Sequence, residues 1–365
     1  MKFTTETTVL KEALKRLGFG VNSKSVLPIL SNILVTASKG EILLTATDLQ
    51  VTVNYKIECE TEGEGQFLIP FEHLKNIIAV ENGSVTIEWN VKSGAKATFE
   101  QDVFSLGNPG DVADFPKIPK VPSKGAYEFN TEFIQSLALA ALSTGKDENR
   151  PVLMNICIEL DKDTITITST DAHSIYTHSL PSELKIEEKT ELLVPVVVAK
   201  VIDGFETTKI GFNKNHMAFE SGPVIITTKR AEGNFPAWRN VMPLHEANVS
   251  TNLIQLKEAV NKAYIMSDAT YNGIDFYIHP KELELRSEVV DAGMSCSLKV
   301  GAESSSPVER IRLNGRLLKR MITQLEENIK DDAQISFSVQ NKNKAVTVKL
   351  ADKENVTVLL MSVNF

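Results

Sequence analysis

The sequence predicts an α+β protein made of three tandem copies of one domain, each with two helices and antiparallel strands. The first observation is a repeated word, since residues 27–32 (LPILSN) return as residues 150–155 (RPVLMN). The second is the register, because Asp48 returns as Asp171 and both offsets equal 123 residues. The third is length, because three copies of 123 residues nearly fill the 365 residues of the chain.

The first helix of each copy carries the same signal. Apolar residues recur at helical spacing over residues 8–17, with the charged residues off that stripe. The word LKEAL at residues 10–14 returns as LKEAV at residues 256–260, an offset of 246, which is twice 123. Between them FIQSL, at residues 133–137, opens a further helix that Asn130 would cap. Three helices therefore begin three copies.

Alternating strands and a second helix follow in every copy. Period-two alternation predicts strand pairs at residues 33–35 and 41–45, 156–158 and 164–168, and 275–277 and 282–285. Second helices are predicted at residues 71–80, 196–205 and 315–325, the last of them capped by Asn314. We place the domain boundaries after residues 122 and 247, which gives domains 1–122, 123–247 and 248–365.

Composition narrows the class of protein. The chain is 42% hydrophobic and 24% charged, which is typical of a globular protein. It shows neither an apolar run near the roughly 20 residues that span a bilayer nor a signal sequence, so we expect a cytosolic protein. Its three cysteines, Cys59, Cys157 and Cys296, are expected to be buried and reduced. A net charge of −8 argues against a protein that is basic all round, but not against a basic face.

The predicted domains would cover one face of their sheets with helices. Three of them in a row, without long linkers, would form an arc with an unpaired sheet edge at each end. Head-to-tail pairing of two such chains removes both edges and closes a ring. The sequence therefore predicts a ring of two chains.

A set of short words, in a fixed order within the repeat, carries a family resemblance. They are MKFT, LPILSNILV, ATDLQVTV, VADFP, RPVLMNI, STDAHSIY and GNFPAWRNVMP, followed by a hydrophobic C-terminal tail. Over its whole length the chain resembles the beta subunit of DNA polymerase III, the bacterial replicative sliding clamp. The resemblance implies a homodimeric ring with helices lining the inside and sheets on the outside. It also implies a non-enzymatic protein without a cofactor, which encircles duplex DNA and tethers the polymerase, the clamp loader and repair proteins.

Sliding on DNA requires solvated cations that contact phosphates without reading bases. The helical candidates are Lys11, Lys15, Lys75, Lys200, Lys257, Arg316 and Lys319, and the same helices carry Arg16, Lys262 and Arg320. The resemblance adds Lys24, which stands where the family has a basic DNA-contacting residue. Lys146 occupies the equivalent loop of the second copy, beside Asp147 and Glu148, where the family is neutral or basic. The alternative is that these cations belong to ordinary solvated helix faces.

The resemblance further implies a groove between the second and third domains that receives short peptides from partner proteins. In the second domain its wall would comprise Arg150, Leu153, Thr170, Ala172, His173, Ser174, Ile175, Pro236, Asn240 and Val241. The third domain would add Asn314, Leu317, Val346, Leu359, Leu360, Met361 and Ser362. Ser174 and Asn240 stand where relatives often have arginine, and the tail ends in SVNF, so peptide preference would differ. The alternative for Leu153, Ile175 and Leu360 is plain core packing.

The resemblance places the seam of the ring at two apolar pairs, Phe104 with Leu106 and Ile265 with Met266. Apolar side chains at an otherwise polar end fit an obligate contact. Phe104 and Leu106 have the alternative of facing the interior of their own domain, since strands need inward apolar residues.

Two other classes of protein are disfavoured. Asp171, His173 and Ser174 lie close together, as in a hydrolase, but the first copy keeps Asp48 without the other two. An acid that recurs without its base is better interpreted as a turn residue. The histidines and cysteines lack metal-ligand spacing, and neither a P-loop nor a dinucleotide-binding motif is present. A sequence-specific DNA-binding protein would have a basic patch and a pI near 9, whereas the pI here is about 5.5.

Overall fold

The computed structural model describes residues 1–22, 25–120, 127–184, 186, 188–242, 248–305, 308–326, 333–339, 345–351 and 353–363. These residues form two compact units, Met1–Gln135 with Val197–Arg230 and Ser136–Val196 with Ala231–Phe365. Each unit combines strands from two of the predicted copies. The predicted boundary after residue 122, and residue 247 at the second boundary, fall outside the described residues.

Within its described residues, the first copy has two α-helices and nine strands. In chain order they are β1 (Lys2–Glu6), α1 (Thr7–Leu17), β2 (Asn32–Ser38), β3 (Glu41–Thr47), β4 (Val51–Glu58), β5 (Glu60–Glu62), β6 (Gly65–Pro70), α2 (Phe71–Val80), β7 (Ser84–Asn90), β8 (Gly94–Thr98) and β9 (Val103–Gly107). The predicted apolar stripe of α1 is buried, with Leu10 and Leu17 fully inaccessible to solvent. Both predicted helices and both predicted strands of this copy are therefore confirmed.

The second copy repeats the order. Its elements are β10 (Tyr127–Phe129), α3 (Thr131–Ala141), β11 (Asn155–Leu160), β12 (Thr164–Thr170), β13 (Ser174–Pro181), β14 (Thr190–Pro195), α4 (Val196–Ile202), β15 (Thr208–Phe212), β16 (His216–Ser221) and β17 (Val224–Lys229). Asn130 caps α3 as predicted, because its side chain accepts a hydrogen bond from the Phe133 amide at 3.2 Å. The helix expected over residues 196–205 ends earlier, at Ile202, and Gly204 then takes the left-handed conformation with φ +82°.

The third copy completes the repeat. Its elements are β18 (Val249–Asn252), α5 (Leu253–Ile265), β19 (Gly273–His279), β20 (Glu282–Val289), β21 (Met294–Ser304), β22 (Val308–Asn314), α6 (Gly315–Glu326), β23 (Gln334–Ser338), β24 (Val346–Leu350) and β25 (Lys353–Leu360). Asn314 caps α6, as predicted, by accepting hydrogen bonds from the amides of Arg316 and Leu317 at 2.9 and 3.2 Å. The α+β class and the two-helix, antiparallel-sheet copy are confirmed.

The strands assemble into antiparallel sheets, two of which cross from one copy to the next. The orders are β5-β1-β7-β8-β9, β10-β15-β16-β17-β4-β3-β2-β6, and β14-β11-β12-β13-β25-β24-β23-β18-β21-β20-β19-β22. The last strand of the second copy, β17, pairs with β4 of the first copy. The last strand of the third copy, β25, pairs in the same way with β13 of the second copy.

The repeat extends to individual hydrogen bonds at two equivalent turns, β3–β4 in the first copy and β12–β13 in the second. Asp48 accepts bonds from the amides of Gln50 and Val51 at 2.9 and 2.7 Å. Its counterpart Asp171 accepts from the amides two and three residues ahead at 3.0 and 2.7 Å. The residues that follow, Leu49 and Ala172, have φ values of 76° and 72°. The interpretation of both aspartates as turn residues is confirmed.

The free cysteines are less buried than expected. Cys157 is buried, and this burial, with smaller contributions from Glu191 and Glu159, raises the pKa of its thiol far above the usual range. Cys59 and Cys296 are half-buried, and burial also raises the pKa of the Cys59 thiol. The prediction of buried thiols was therefore right for Cys157 and wrong for the other two.

Arg16 has a structural role that its position on a helix with other cations did not reveal. It is buried, and its guanidinium donates hydrogen bonds to the carbonyl oxygens of Val201 and Asp203, both at 2.7 Å. It also binds Glu12 at 2.7 Å and lies 4.9 Å from the ring centroid of Phe205. Arg16 thereby joins α1 to the end of α4 within the first unit, and its guanidinium is buried in that contact.

His178 is a buried polar group of the second unit. Its Nδ1 forms a hydrogen bond with the Ser136 hydroxyl, and its Nε2 lies 3.1 Å from the Asn355 amide nitrogen. Burial, with a smaller contribution from Lys353, lowers the pKa of His178 to about 4. The ring therefore stays neutral at neutral pH and connects α3 to β25.

Replacing Arg16 tests the α1–α4 contact. Arg16→Met keeps an apolar stem and removes the donor to one buried and one partly buried carbonyl oxygen, so we expect the free energy of unfolding of the first unit to fall by about 2 kcal/mol. Urea unfolding followed by Trp89 fluorescence in a Trp238→Phe background measures it. Lys15→Met, on the exposed side of the same helix, is the control and should leave stability unchanged. Equal stability of the two variants would contradict the assignment.

Acid should destabilise the protein partly through His178. The unfolded ring titrates near 6.5 and the folded ring near 4, so the unfolded state binds more protons between these values. Stability therefore falls as the pH drops through that window and levels off below it. We expect His178→Gln to lose less melting temperature than the wild type between pH 7 and pH 5, measured by scanning calorimetry. Identical losses would argue against a neutral buried ring.

Candidate functional site

The second unit contains a cavity of about 480 Å³. Four segments build its wall: the short 3-10 helix before β11, the β12–β13 turn, the segment after β17, and the end of β25. The lining residues are Arg150, Val152, Leu153, Thr170, Ala172, Ser174, Ile175, Asn234, Pro236, Ala237, Trp238, Val241, Leu359 and Met361. The wall is mainly apolar with a few polar groups, a composition that suits an apolar ligand held by a few hydrogen bonds.

Main-chain pairing fixes two sides of this cavity. Ile175 on β13 is paired with Leu359 on β25, and the two copies thus meet at the cavity floor. The pairing continues past the end of β25, because the Met361 amide donates to the His173 carbonyl oxygen at 2.8 Å. The cavity is therefore held by the backbone on the side where the second and third copies meet.

Ten of the residues predicted from the family resemblance line the cavity. They are Arg150, Leu153, Thr170, Ala172, Ser174, Ile175, Pro236, Val241, Leu359 and Met361. The remaining seven do not line it: His173, Asn240, Asn314, Leu317, Val346, Leu360 and Ser362. The exclusion of Val346 and Leu360 has a simple reason, since they are paired with each other and neighbours on a strand face opposite sides of the sheet. Val346 instead borders the apolar interior beside Phe337.

The most informative residue that the sequence did not single out is Trp238. It packs against two clusters, one formed by Cys157, Leu193 and Phe235 and the other by Ile175, Ala345 and Leu359. The indole therefore connects the interior of the second copy with the junction to the third. The available signal in the sequence was a tryptophan within the largely polar segment of residues 229–240. Val152, Asn234 and Ala237 also line the cavity and were not predicted.

The charges around the cavity are largely paired. Arg320 of α6 binds the Asp171 carboxylate at 2.7 Å and also the Ser174 hydroxyl. Burial would raise the pKa of Asp171, but Arg320 and the two turn amides hold it below the usual value. Arg150 at the mouth lies 3.9 Å from the Asp147 carboxylate. Arg320 was grouped with the helical cations by position; its pairing shows that it joins α6 to the cavity turn instead.

The predicted DNA-contacting cations fall into groups on the helices. In the first unit Lys11, Lys15 and Lys75 border a cavity of about 390 Å³ between α1 and α2. In the second unit Lys257 and Lys319 lie on the neighbouring helices α5 and α6, and Lys257 is paired with Glu326 at 2.5 Å. The exposed members outside the first group are Lys146, Lys200, Arg316 and Lys319. Lys24 lies outside the described residues.

The predicted seam residues lie at two sheet and helix ends. Phe104 and Leu106 are half-buried on β9, which pairs with β8 at the border of its five-stranded sheet. The Phe104 ring contacts Phe99 edge to face, with centroids 5.8 Å apart. Ile265 ends α5 and is 78% exposed, and Met266 follows it half-buried. Ile265 in particular is an apolar side chain without cover from its own unit.

The described residues give no support to catalysis or metal binding. Within them, no group of three or more histidine, cysteine, aspartate or glutamate side chains could hold a metal ion. The Asp171 carboxylate is occupied by Arg320 and by backbone amides, and the exposed His173 contributes its main chain to the turn. None of the helices described is long and apolar enough to cross a membrane.

Comparison with known proteins agrees with this architecture. Residues 1–119 match the family model of the DNA polymerase III beta subunit, N-terminal domain, and residues 129–237 match that of its central domain. The beta sliding clamp of Micrococcus luteus is 26% identical, over 67% of this chain and 80% of its own length. That of Pseudomonas aeruginosa is 22% identical over 99% of both chains.

Solved structures agree over the full length. A sliding clamp from Pseudomonas aeruginosa, bound to griselimycin, superposes with a TM-score of 0.90 at 20% identity and covers 100% of both chains. One from Bartonella birtlesii, also bound to griselimycin, gives 0.89 at 21% identity, again over 100% of both. The chain therefore belongs to the DNA polymerase III beta subunit family, the bacterial beta sliding clamps, and is a clamp of DNA replication rather than an enzyme.

Proposed function

We propose that this clamp forms a head-to-tail homodimeric ring that encircles duplex DNA without sequence preference. In this proposal the cavity of the second unit binds short peptides of the replicative polymerase, the clamp loader and repair proteins, and the ring works in the cytoplasm. The observation that carries it is a pairing rule between copies. The last strand of one copy pairs with the strand that follows the aspartate turn in the preceding copy, as β17 pairs with β4 and β25 pairs with β13.

The pairing rule leaves two matching edges. The last strand of the first copy is β9, which pairs with β8 among the described residues. The strand after the turn in the third copy is β21, whose residues 294–301 pair with β20, while its last residues also pair with β18. Antiparallel pairing of β9 with β21 of a second chain would follow the rule of β17 with β4 and satisfy both edges.

The helices support the same closure. Arg16 joins α1 to α4 at the first junction, and Gln324 of α6 donates to the Leu139 carbonyl oxygen of α3 at 2.9 Å at the second. These two contacts each join the first helix of one copy to the second helix of another, and among the described helices they leave out α5 and α2. Each ends in an exposed apolar residue, Ile265 at 78% and Val80 at 75% exposure. We therefore extend the proposed seam to α2 of the partner chain.

The helical cations suit contact with a sliding duplex. Lys15, Lys75, Lys200, Arg316 and Lys319 are exposed on helices of an otherwise acidic chain with a net charge of −8. Flexible cations that meet phosphates give affinity without sequence information. The loop residue Lys146 belongs to the proposal as a further contact, and so does Lys24, on the strength of the family resemblance alone.

The cavity suits a short peptide with apolar side chains. Its volume of about 480 Å³ has room for two or three such side chains, and Trp238 offers an aromatic surface. Met361 at the edge is 37% exposed and flexible, which favours a site that accepts several partners. Relatives whose solved structures contain griselimycin supply a ready probe for this chain.

Encirclement predicts retention that depends on DNA topology. Clamps loaded onto nicked circular plasmid should stay bound during gel filtration, and cutting the plasmid with a restriction enzyme should release them, because a ring slides off a free end. Ile265→Asp should weaken dimerisation about tenfold or more and abolish retention on the circular plasmid. Light scattering should then give this variant a mass near 40.3 kDa instead of twice that.

Val26→Asp is the control for that experiment, since Val26 is also exposed but lies in the loop between α1 and β2. It should leave the dimer intact. Equal retention on circular and linear DNA, or a wild-type protein that stays monomeric at micromolar concentration, would overturn the ring.

Peptide binding at the cavity predicts a sharp effect of Val241→Asp. Val241 lines the cavity and is 51% exposed, so a carboxylate there should not disturb the core. An apolar ligand would have to strip water from that carboxylate on binding, which costs free energy. We expect at least tenfold weaker binding of griselimycin and of a labelled octapeptide with adjacent Leu and Phe, measured by fluorescence anisotropy and calorimetry. Val91→Asp, at a site 78% exposed in the β7–β8 turn, should bind both as the wild type does. Wild-type protein that binds neither probe would refute the peptide site.

A further inference from the structure

We propose that Glu159, which lies outside the cavity, is a positioning residue that holds the indole of Trp238 as the aromatic wall of the cavity through Arg239. The proposal rests on the proposed peptide binding and deepens it. It predicts that the aromatic residues of a partner peptide, more than the aliphatic ones, depend on Glu159.

The Glu159 carboxylate sits in an unusual place for a charge. It lies on β11 with its side chain only 7% exposed, and it accepts two hydrogen bonds from the Arg239 guanidinium at 2.7 and 3.1 Å. Lys189 binds its second oxygen at 2.6 Å. Burial would raise the pKa of Glu159, but these two cations lower it below the usual value. The carboxylate is thus charged and fully engaged in the folded protein.

Two parallel hydrogen bonds fix the plane of a guanidinium as well as its position. The Arg239 carbon Cζ lies 4.2 Å from the ring centroid of Trp238, so the guanidinium that Glu159 holds lies over the indole ring. Both residues belong to the short 3-10 helix Trp238–Val241 in the segment after β17. The Glu159–Arg239 pair therefore joins this segment to β11 and restricts the indole that the guanidinium contacts.

A ligand would benefit where the indole borders the cavity. Trp238 borders the cavity and packs against Ile175 and Leu359, the paired residues of its floor. A ring held in one orientation binds an aromatic side chain without first losing rotamer freedom, which is the advantage of preorganisation. Aliphatic side chains would gain less, because they depend on the volume of the cavity and not on ring orientation.

A purely structural role is the rival explanation, and the chain offers controls for it. Lys189→Met removes the other cation from Glu159 and leaves the Arg239 pair in place. Glu284→Gln breaks a comparable two-bond pair with Arg286, at 2.7 and 2.9 Å, on β20 of the third copy. Arg239→Lys keeps the charge but loses the second hydrogen bond and the guanidinium over the indole ring. If the role of Glu159 is positioning, Arg239→Lys should copy Glu159→Gln, and the other two variants should not.

The experiment uses the full-length protein with Trp89→Phe, which leaves Trp238 as its one tryptophan, since the chain has 2. Acrylamide quenching of the unliganded protein reports the freedom of the indole, and titration with two octapeptides, one with Leu-Phe and one with Leu-Leu, reports affinity. For Glu159→Gln we expect increased quenching and about tenfold weaker binding of the Leu-Phe peptide, with less than about threefold loss for the Leu-Leu peptide.

Each other outcome has a defined meaning. Unchanged quenching and affinity in Glu159→Gln would overturn the proposal. Equal losses for both peptides with a lowered melting temperature would assign Glu159 a structural role and also overturn it. If Glu159→Gln does not fold, Arg239→Lys decides by the same readouts. If the parent protein binds neither peptide, the proposed peptide site fails, and the quenching of Trp238 then decides alone whether Glu159 positions it.

Discussion

Antiparallel pairing between copies is the constraint on which the rest of this structure depends. The contacts of β17 with β4 and of β25 with β13 make the two larger sheets continuous across a boundary in the repeat. Backbone hydrogen bonds must be satisfied somewhere, so the last strand of a copy pairs with a strand of the preceding copy. This explains why the compact units of the chain cut across the copies, and why the cavity forms where a junction brings a turn and a strand end together.

Charged and polar side chains reinforce those junctions, which changes how the helical cations must be interpreted. Arg16 caps the carbonyl oxygens at the end of α4, and Gln324 does the same for α3. Arg320 neutralises Asp171 beside the cavity. Buried or half-buried pairs of this kind are strongly destabilising to break, because the remaining partner stays without compensation. In the proposed ring, the charge available to DNA would therefore be carried by exposed lysines and by Arg316, not by every cation on the helices.

The sequence predicted well the features that follow from periodic spacing, and it predicted poorly those that depend on which face of a strand a residue occupies. The 123-residue offset gave the copies, the helices and the two aspartate turns, because hydrophobic spacing and turn chemistry are local signals. It could not tell which side of β25 faces the cavity, so Leu360 and Val346 were assigned with Leu359, although one residue along a strand reverses the face. The contacts of Arg16 and Trp238 were out of reach for another reason, since both connect segments far apart in sequence.

The repeat itself separates what the fold requires from what the cavity requires. The same apolar cluster occurs twice, as Leu34, Leu68 and Phe115 in the first copy and as Cys157, Leu193 and Phe235 in the second. The second cluster adds Trp238, and Glu159 and Arg239 hold that indole in place. The corresponding residues of the first copy are Thr36, Ile118 and Pro119. A copy of this domain thus builds its strands and its cluster without the carboxylate, the guanidinium or the indole, so those three groups belong to the copy that borders the cavity and not to the domain as such.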